Sequence, residues 1–129
     1  MARSLRRREM LAAFRKYARL GLGKTRLATH LIYARLRGVS RTEAGARELL
    51  AVYDTVRLLR LQRSPALAAA EALLLDPHAT YRHRNDMTYA VRRYAQAHHY
   101  DERTVYRQLA LVEDLYLRLL AAAEEDGDA

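Results

Sequence analysis

The chain has 129 residues, half of them hydrophobic, and a net charge of +8 from 23 Lys and Arg against 15 Asp and Glu. That length buries one modest core, and the lack of cysteine excludes disulfides, thiolate nucleophiles and zinc fingers and fits a reducing cytosol. No long uncharged apolar run offers a membrane span or signal peptide, while five Gly and two Pro among so many Ala, Leu and Arg predict an all-α protein of five or six helices.

In chain order, an Arg-rich helix is expected from about Ser4 to Leu20, with Met10, Phe14 and Tyr17 on one stripe and Arg6, Arg7 and Arg8 as a phosphate-gripping arm. Gly21-Leu22-Gly23-Lys24-Thr25 resembles the end of a P-loop. Ala18 replaces the first glycine of that motif and an Arg-rich helix replaces the strand before it, so the glycines read as a helix end and turn. A helix from Lys24 to Arg37 is expected to stop at Gly38-Val39-Ser40. Ser40 with Glu43 then forms an S-x-x-E capping box that starts a long helix at Arg41, running to about Gln62. The Gly38-Val39-Ser40 corner also has helix-turn-helix spacing, but Ala44 stands where an aliphatic lock is needed, so an ordinary corner is expected.

Ser64-Pro65 opens a short Ala/Leu helix that should end near Asp76-Pro77, because a residue before proline avoids the helical region. Residues His78 to Arg84 form the most polar loop, with Arg82 and Arg84 as further phosphate contacts. Among His78, His83, His98 and His99, no pair is spaced i, i+4 with a carboxylate between them, so no metal is expected. Ser4, Ser40 and Ser64 sit where caps or termini explain them, and no nucleophile has a base beside it. No catalysis and no cofactor are expected.

From about Asn85 the pattern is a helix, a corner at His98-His99-Tyr100, and a second helix from Glu102 to about Ala122. A helix-turn-helix needs a small residue where its helices cross, a hydrophobic residue in the turn and an aliphatic lock in the second helix; Ala95, Tyr100 and Val105 fill those places. His99 takes the left-handed turn position usually held by Gly, and Asp101 caps the second helix. At about 100° per residue, Thr104, Val105, Gln108, Leu109, Leu111, Val112, Leu115, Tyr116 and Leu119 share one side, whereas Arg103, Tyr106, Arg107 and Ala110 cluster opposite. Arginine bridges guanine O6 and N7 with two hydrogen bonds, so Arg103, Tyr106 and Arg107 are the expected base contacts.

The string Asp101-Glu102-Arg103-Thr104-Val105-Tyr106-Arg107, followed by Leu109, resembles the S-x-R-T-V-Y-R-x-L recognition-helix motif of bacterial repressors and sigma-like regulators. Together with Leu49-Leu50-Ala51-Val52-Tyr53-Asp54-Thr55-Val56-Arg57-Leu58-Leu59-Arg60-Leu61-Gln62, it is similar to phage late-gene transcriptional activators of the ArpU/RinA type over about residues 45 to 120. The resemblance implies a small activator with a sigma-region-4-like C-terminal half, acting on a prophage promoter.

Residues 1–63 carry sixteen Lys and Arg against four acids, whereas residues 64–129 carry seven against eleven. The expected organisation is therefore a basic N-terminal set of helices (1–63), a helix-turn-helix half of the same compact domain (64–123) and a disordered acidic tail (124–129). The expected function is a sequence-specific cytoplasmic regulator that docks on double-stranded DNA electrostatically and then reads bases. It is expected to form a homodimer or to lean on RNA polymerase, through Leu115, Leu119 and Leu120. The rival expectations are a small-terminase-like DNA-packaging factor and a helical adaptor that binds an acidic protein instead of DNA.

Overall fold

Six helices make up the computed structural model: α1 (Ala2–Arg19), α2 (Thr29–Val39), α3 (Glu43–Leu61), α4 (Ala66–Leu73), α5 (Asp86–His98) and α6 (Glu102–Gly127). The structure describes residues 2–21, 28–78, 81–83 and 85–127, with side chains from residue 7 of α1 to residue 125 of α6. Among these residues there is no strand, and the expected all-α class holds.

The larger core forms around α3, whose Leu49, Val52, Val56 and Leu59 recur every three or four residues and are all buried. Met10, Phe14 and Tyr17, the stripe expected on α1, pack against them, and the Phe14 ring meets Tyr116 of α6 edge-on at 5.5 Å. From α2 come Ile32 and Leu36, and the Tyr33 hydroxyl donates to Asp54 of α3 at 2.6 Å. Thr55, fully buried in mid-helix, donates its hydroxyl to the Ala51 carbonyl at 2.7 Å, so burying it leaves no polar atom unpaired.

The smaller core lies between α4, α5 and the start of α6 and holds Ala69, Leu73, Val91, Tyr94, Ala95 and Val105. α4 serves both cores, turning Ala66 and Ala70 to the larger and Ala69 and Leu73 to the smaller. Alanines on both sides let neighbouring helices approach closely. α6 also belongs to both, with Val105 in the smaller core and Val112 and Tyr116 in the larger.

Several boundaries differ from expectation. Ala28 is extended and α2 begins at Thr29, while most of the Gly21–Thr25 segment and Lys24 lie outside the described residues; Gly21 itself is left-handed, as a helix end requires. The cap of α3 is Thr42 rather than Ser40: its side chain accepts from the Gly45 N–H at 3.0 Å, and Ser40 instead bonds the backbone of Thr42. α4 stops at Leu73, three residues short of the proline signal, and the Tyr81 hydroxyl donates to the Leu73 carbonyl at 2.6 Å. α6 continues through Gly127, so the start of the acidic tail is helical.

Candidate nucleic-acid interface

Between α5 and α6 the chain turns in three residues, and the turn is built from backbone geometry. His99 is left-handed at φ 57° and ψ 38°, as expected for the position usually given to glycine. Tyr100 donates its N–H to the Ala95 carbonyl at 2.8 Å and His99 donates to Gln96 at 3.4 Å, which satisfies the carbonyls at the end of α5 in the Schellman pattern. Arg63 at the end of α3 is left-handed too, and its neighbour Ser64 donates to Leu59 at 3.0 Å in the same pattern. Ser64-Pro65 signals the helix end there, but nothing marks Arg63 as left-handed.

Asp101 then opens α6. Its carboxylate accepts from the Arg103 N–H at 3.0 Å, and its carbonyl accepts from Thr104 at 3.0 Å. Ala95 at the crossing and Val105 as the lock are both buried, which matches the places expected of them. Tyr100 does not match. Its ring is 43% exposed and lies outside the core, at 6.2 Å from the His98 ring and 6.5 Å from Tyr94. The chain leaves the left-handed residue pointing outward, so an aromatic there stacks along the surface of α5.

Arg103, Tyr106, Arg107 and Ala110 all face outward on the first turns of α6. Leu111, expected inside, is 47% exposed beside them, because α4 and α5 cover only the side that carries Val105 and Leu109. Two acids share this end of the helix, and each has a local partner. Glu102 accepts from Arg92 of α5 at 3.2 Å, while Asp101 is held by the cap. Arg92 also sits 6.0 Å over the ring of Tyr89. An exposed pair of this kind adds little stability. Its effect is to match the Glu102 charge inside the protein, so that Arg103 and Arg107, which have no carboxylate partner among the described residues, project from a surface that is locally cationic. Arg92 and Tyr89 lie ten and thirteen residues before Glu102, a separation that no helical periodicity reveals.

The expected phosphate contacts divide. Arg8 is exposed on α1, but the Arg7 guanidinium binds the Glu113 carboxylate of α6 at 3.1 and 3.2 Å, so Arg7 ties α1 to α6. Glu113 is 8% exposed, and without Arg7 its charge would be stranded. This tie sets the start of α1 beside α6 at about 9 Å along the helix axis from Arg107. Arg82 is exposed in the loop before α5, where Asp86 accepts from the Arg82 and His83 N–H groups at 3.1 and 2.9 Å. The side chain of Arg6, and all of Arg84, lie outside the described residues.

Leu115, Leu119 and Leu120, the expected association surface, are only partly exposed. They are half-buried against the larger core, because α1 and α3 lie along the second half of α6. At the α2–α3 corner Gly38 stays helical and Ser40 is extended, so that corner lacks the left-handed residue seen at His99. Among the described residues no group of three His, Cys, Asp or Glu side chains is placed to hold a metal, and no helix is long and apolar enough to cross a membrane. No protein-family model, curated protein or solved structure matches the chain.

Proposed function

We propose that the protein is a sequence-specific DNA-binding transcriptional regulator in which α5 and α6 act as a helix-turn-helix. Arg103 and Arg107 would read guanine edges in the major groove, with Tyr106 between them. The observation that carries this reading is the outward row Arg103, Tyr106 and Arg107 directly after a left-handed corner, with both neighbouring acids already engaged by Arg92 and by the cap. Arg8 and Arg82 would hold phosphates and set the register. The resemblance of this helix to the phage late-gene activators supports a prophage promoter as the target, with RNA polymerase as the partner in a bacterial cytoplasm. The proposal assigns the protein no catalytic step.

Selection of bound duplexes from random DNA, followed by titration of the best site, tests the reading. Replacing Arg103 or Arg107 by Ala should cost about 1–3 kcal/mol at that site and relax preference at one base pair, with helicity unchanged. A double variant that binds the selected site as tightly as the parent removes α6 as the reader. A selection that enriches no sequence removes the function.

A further inference from the structure

At the far end of α6 a second cationic surface is built from different elements. An open groove of about 700 Å³ runs between the end of α2, the start of α3 and the last turns of α6, with Arg37, Arg41 and Arg47 on its walls and Ala123 at its edge. Arg37 stands on the last turn of α2, Arg41 in the corner and Arg47 on α3. The tight corner brings them together. Gly45 permits it, because a Cβ there would collide with the Ser40 hydroxyl and press on Thr42 Oγ1 at 3.1 Å. Glu43 is the carboxylate lining the groove, and it pairs with Arg47 at 3.6 Å. Arg37 and Arg41 are exposed and have no carboxylate partner among the described residues.

Beyond the Arg47–Glu43 pair, the lining leaves the Arg37 and Arg41 guanidinium groups open, and planar donor forks of this kind suit phosphate oxygens. The groove also lies well away from the outward row on the first turns of α6. Ala123 lies sixteen residues beyond Arg107, or about 24 Å along the axis of α6. The groove is therefore a cationic surface separate from the row Arg103, Tyr106 and Arg107 at the start of α6. Directly after Ala123 come Glu124 and Glu125, both exposed, so the end of α6 sets negative charge beside the cationic groove.

We propose that this groove is a second phosphate-binding surface, which takes the backbone of a further stretch of nucleic acid and is screened by the acidic last turns of α6. The proposal rests on the DNA-binding reading; that the bound stretch is a further one rests on α6 as the reader, whereas phosphate binding by the groove does not.

The test is the salt dependence of binding of the full chain to a random-sequence duplex. Arg37→Ala with Arg41→Ala should lower the slope of log K against log salt by about two units, while preference for the selected site is kept. Arg19→Ala with Arg35→Ala removes the same charge elsewhere and should move the slope far less. Glu124→Gln with Glu125→Gln should tighten binding severalfold at low salt. An unchanged slope for the Arg37/Arg41 variant, or an equal change for the Arg19/Arg35 variant, overturns the proposal; failure of the glutamine variant to tighten binding overturns the screening. If alanine lowers helicity, Arg37→Gln with Arg41→Gln gives the same comparison. Should Arg103→Ala with Arg107→Ala leave binding intact while the Arg37/Arg41 variant lowers the slope, the reading helix fails and the groove stands.

Discussion

The two cores hold their helices by different means. Around α3, large side chains such as Phe14, Leu36, Leu49, Leu59 and Tyr116 interlock, each less than 2% exposed, and apolar volume sets the geometry. Around α5 the buried set is mostly small, with Ala69, Ala95, Val91 and Val105 beside Leu73 and Tyr94, and the shape depends on hydrogen bonds: the turn at His99, the Asp101 cap, Asp86 under the loop and Tyr81 on the end of α4. A region positioned by backbone bonds and a thin core can leave a whole helix face outside. That is what a reading surface needs, whereas the middle of α3, from Gly45 to Val56, has no exposed residue.

The sharpest way to break this contrast is to remove volume from each core. Phe14→Ala should cost about 3–5 kcal/mol and lower the midpoint of the whole transition. Val105→Ala should cost less, about 0.5–3 kcal/mol, and weaken binding to the selected duplex more than the loss of stability accounts for, because it loosens the seat of α6. Equal midpoint losses in thermal unfolding would mean that the two cores are alike. Next in size is the tie between the regions. Arg7→Ala leaves the Glu113 carboxylate almost buried and alone, so it should cost about 1–3 kcal/mol in denaturant unfolding while hardly changing the salt slope for DNA. Arg8→Ala should do the reverse.

A smaller effect is expected at the turn. His99→Gly relieves a left-handed conformation and should stabilise by about 0.5–1 kcal/mol, read from the urea midpoint, less than the full cost of the strain because glycine also loosens the unfolded chain. Burial, together with the nearby charges of Glu9 and Glu124, raises the Glu48 carboxyl above its ordinary range, with Lys16 opposing. A carboxyl raised by folding contributes stability when protonated, and that contribution is lost as pH rises through its folded value. Glu48→Gln should therefore raise the melting temperature slightly at neutral pH, and the gain should fade as pH falls into the carboxylate range. A gain that grows on acidification would give Glu48 a favourable partner in the fold.

Much of the α5–α6 region was legible because its signals are local. The left-handed His99, the Asp101 cap, Ala95, Val105 and the outward Arg103, Tyr106 and Arg107 all follow from offsets within one or two turns of helix, where spacing and backbone chemistry decide the outcome. The stripe of Met10, Phe14 and Tyr17 was legible for the same reason. Less so were ends that two signals contest: Ser40 and Thr42 both offer a cap, and Thr42 takes it because its side chain reaches the Gly45 N–H.

By itself, then, the amino-acid order determined that the chain is helical, where most helices lie and which side of each is apolar, because these depend on propensity and on a period of about 3.6 residues. Only the tertiary structure decided which charges and apolar groups remain available. It joined Arg7 to Glu113 across 106 residues and Arg92 to Glu102 across ten, packed Leu115, Leu119 and Leu120 partly against the larger core, left Leu111 outside, and brought Arg37, Arg41 and Arg47 to one groove. The availability of a side chain depends on what packs beside it, and in a helical protein the neighbours come from other helices.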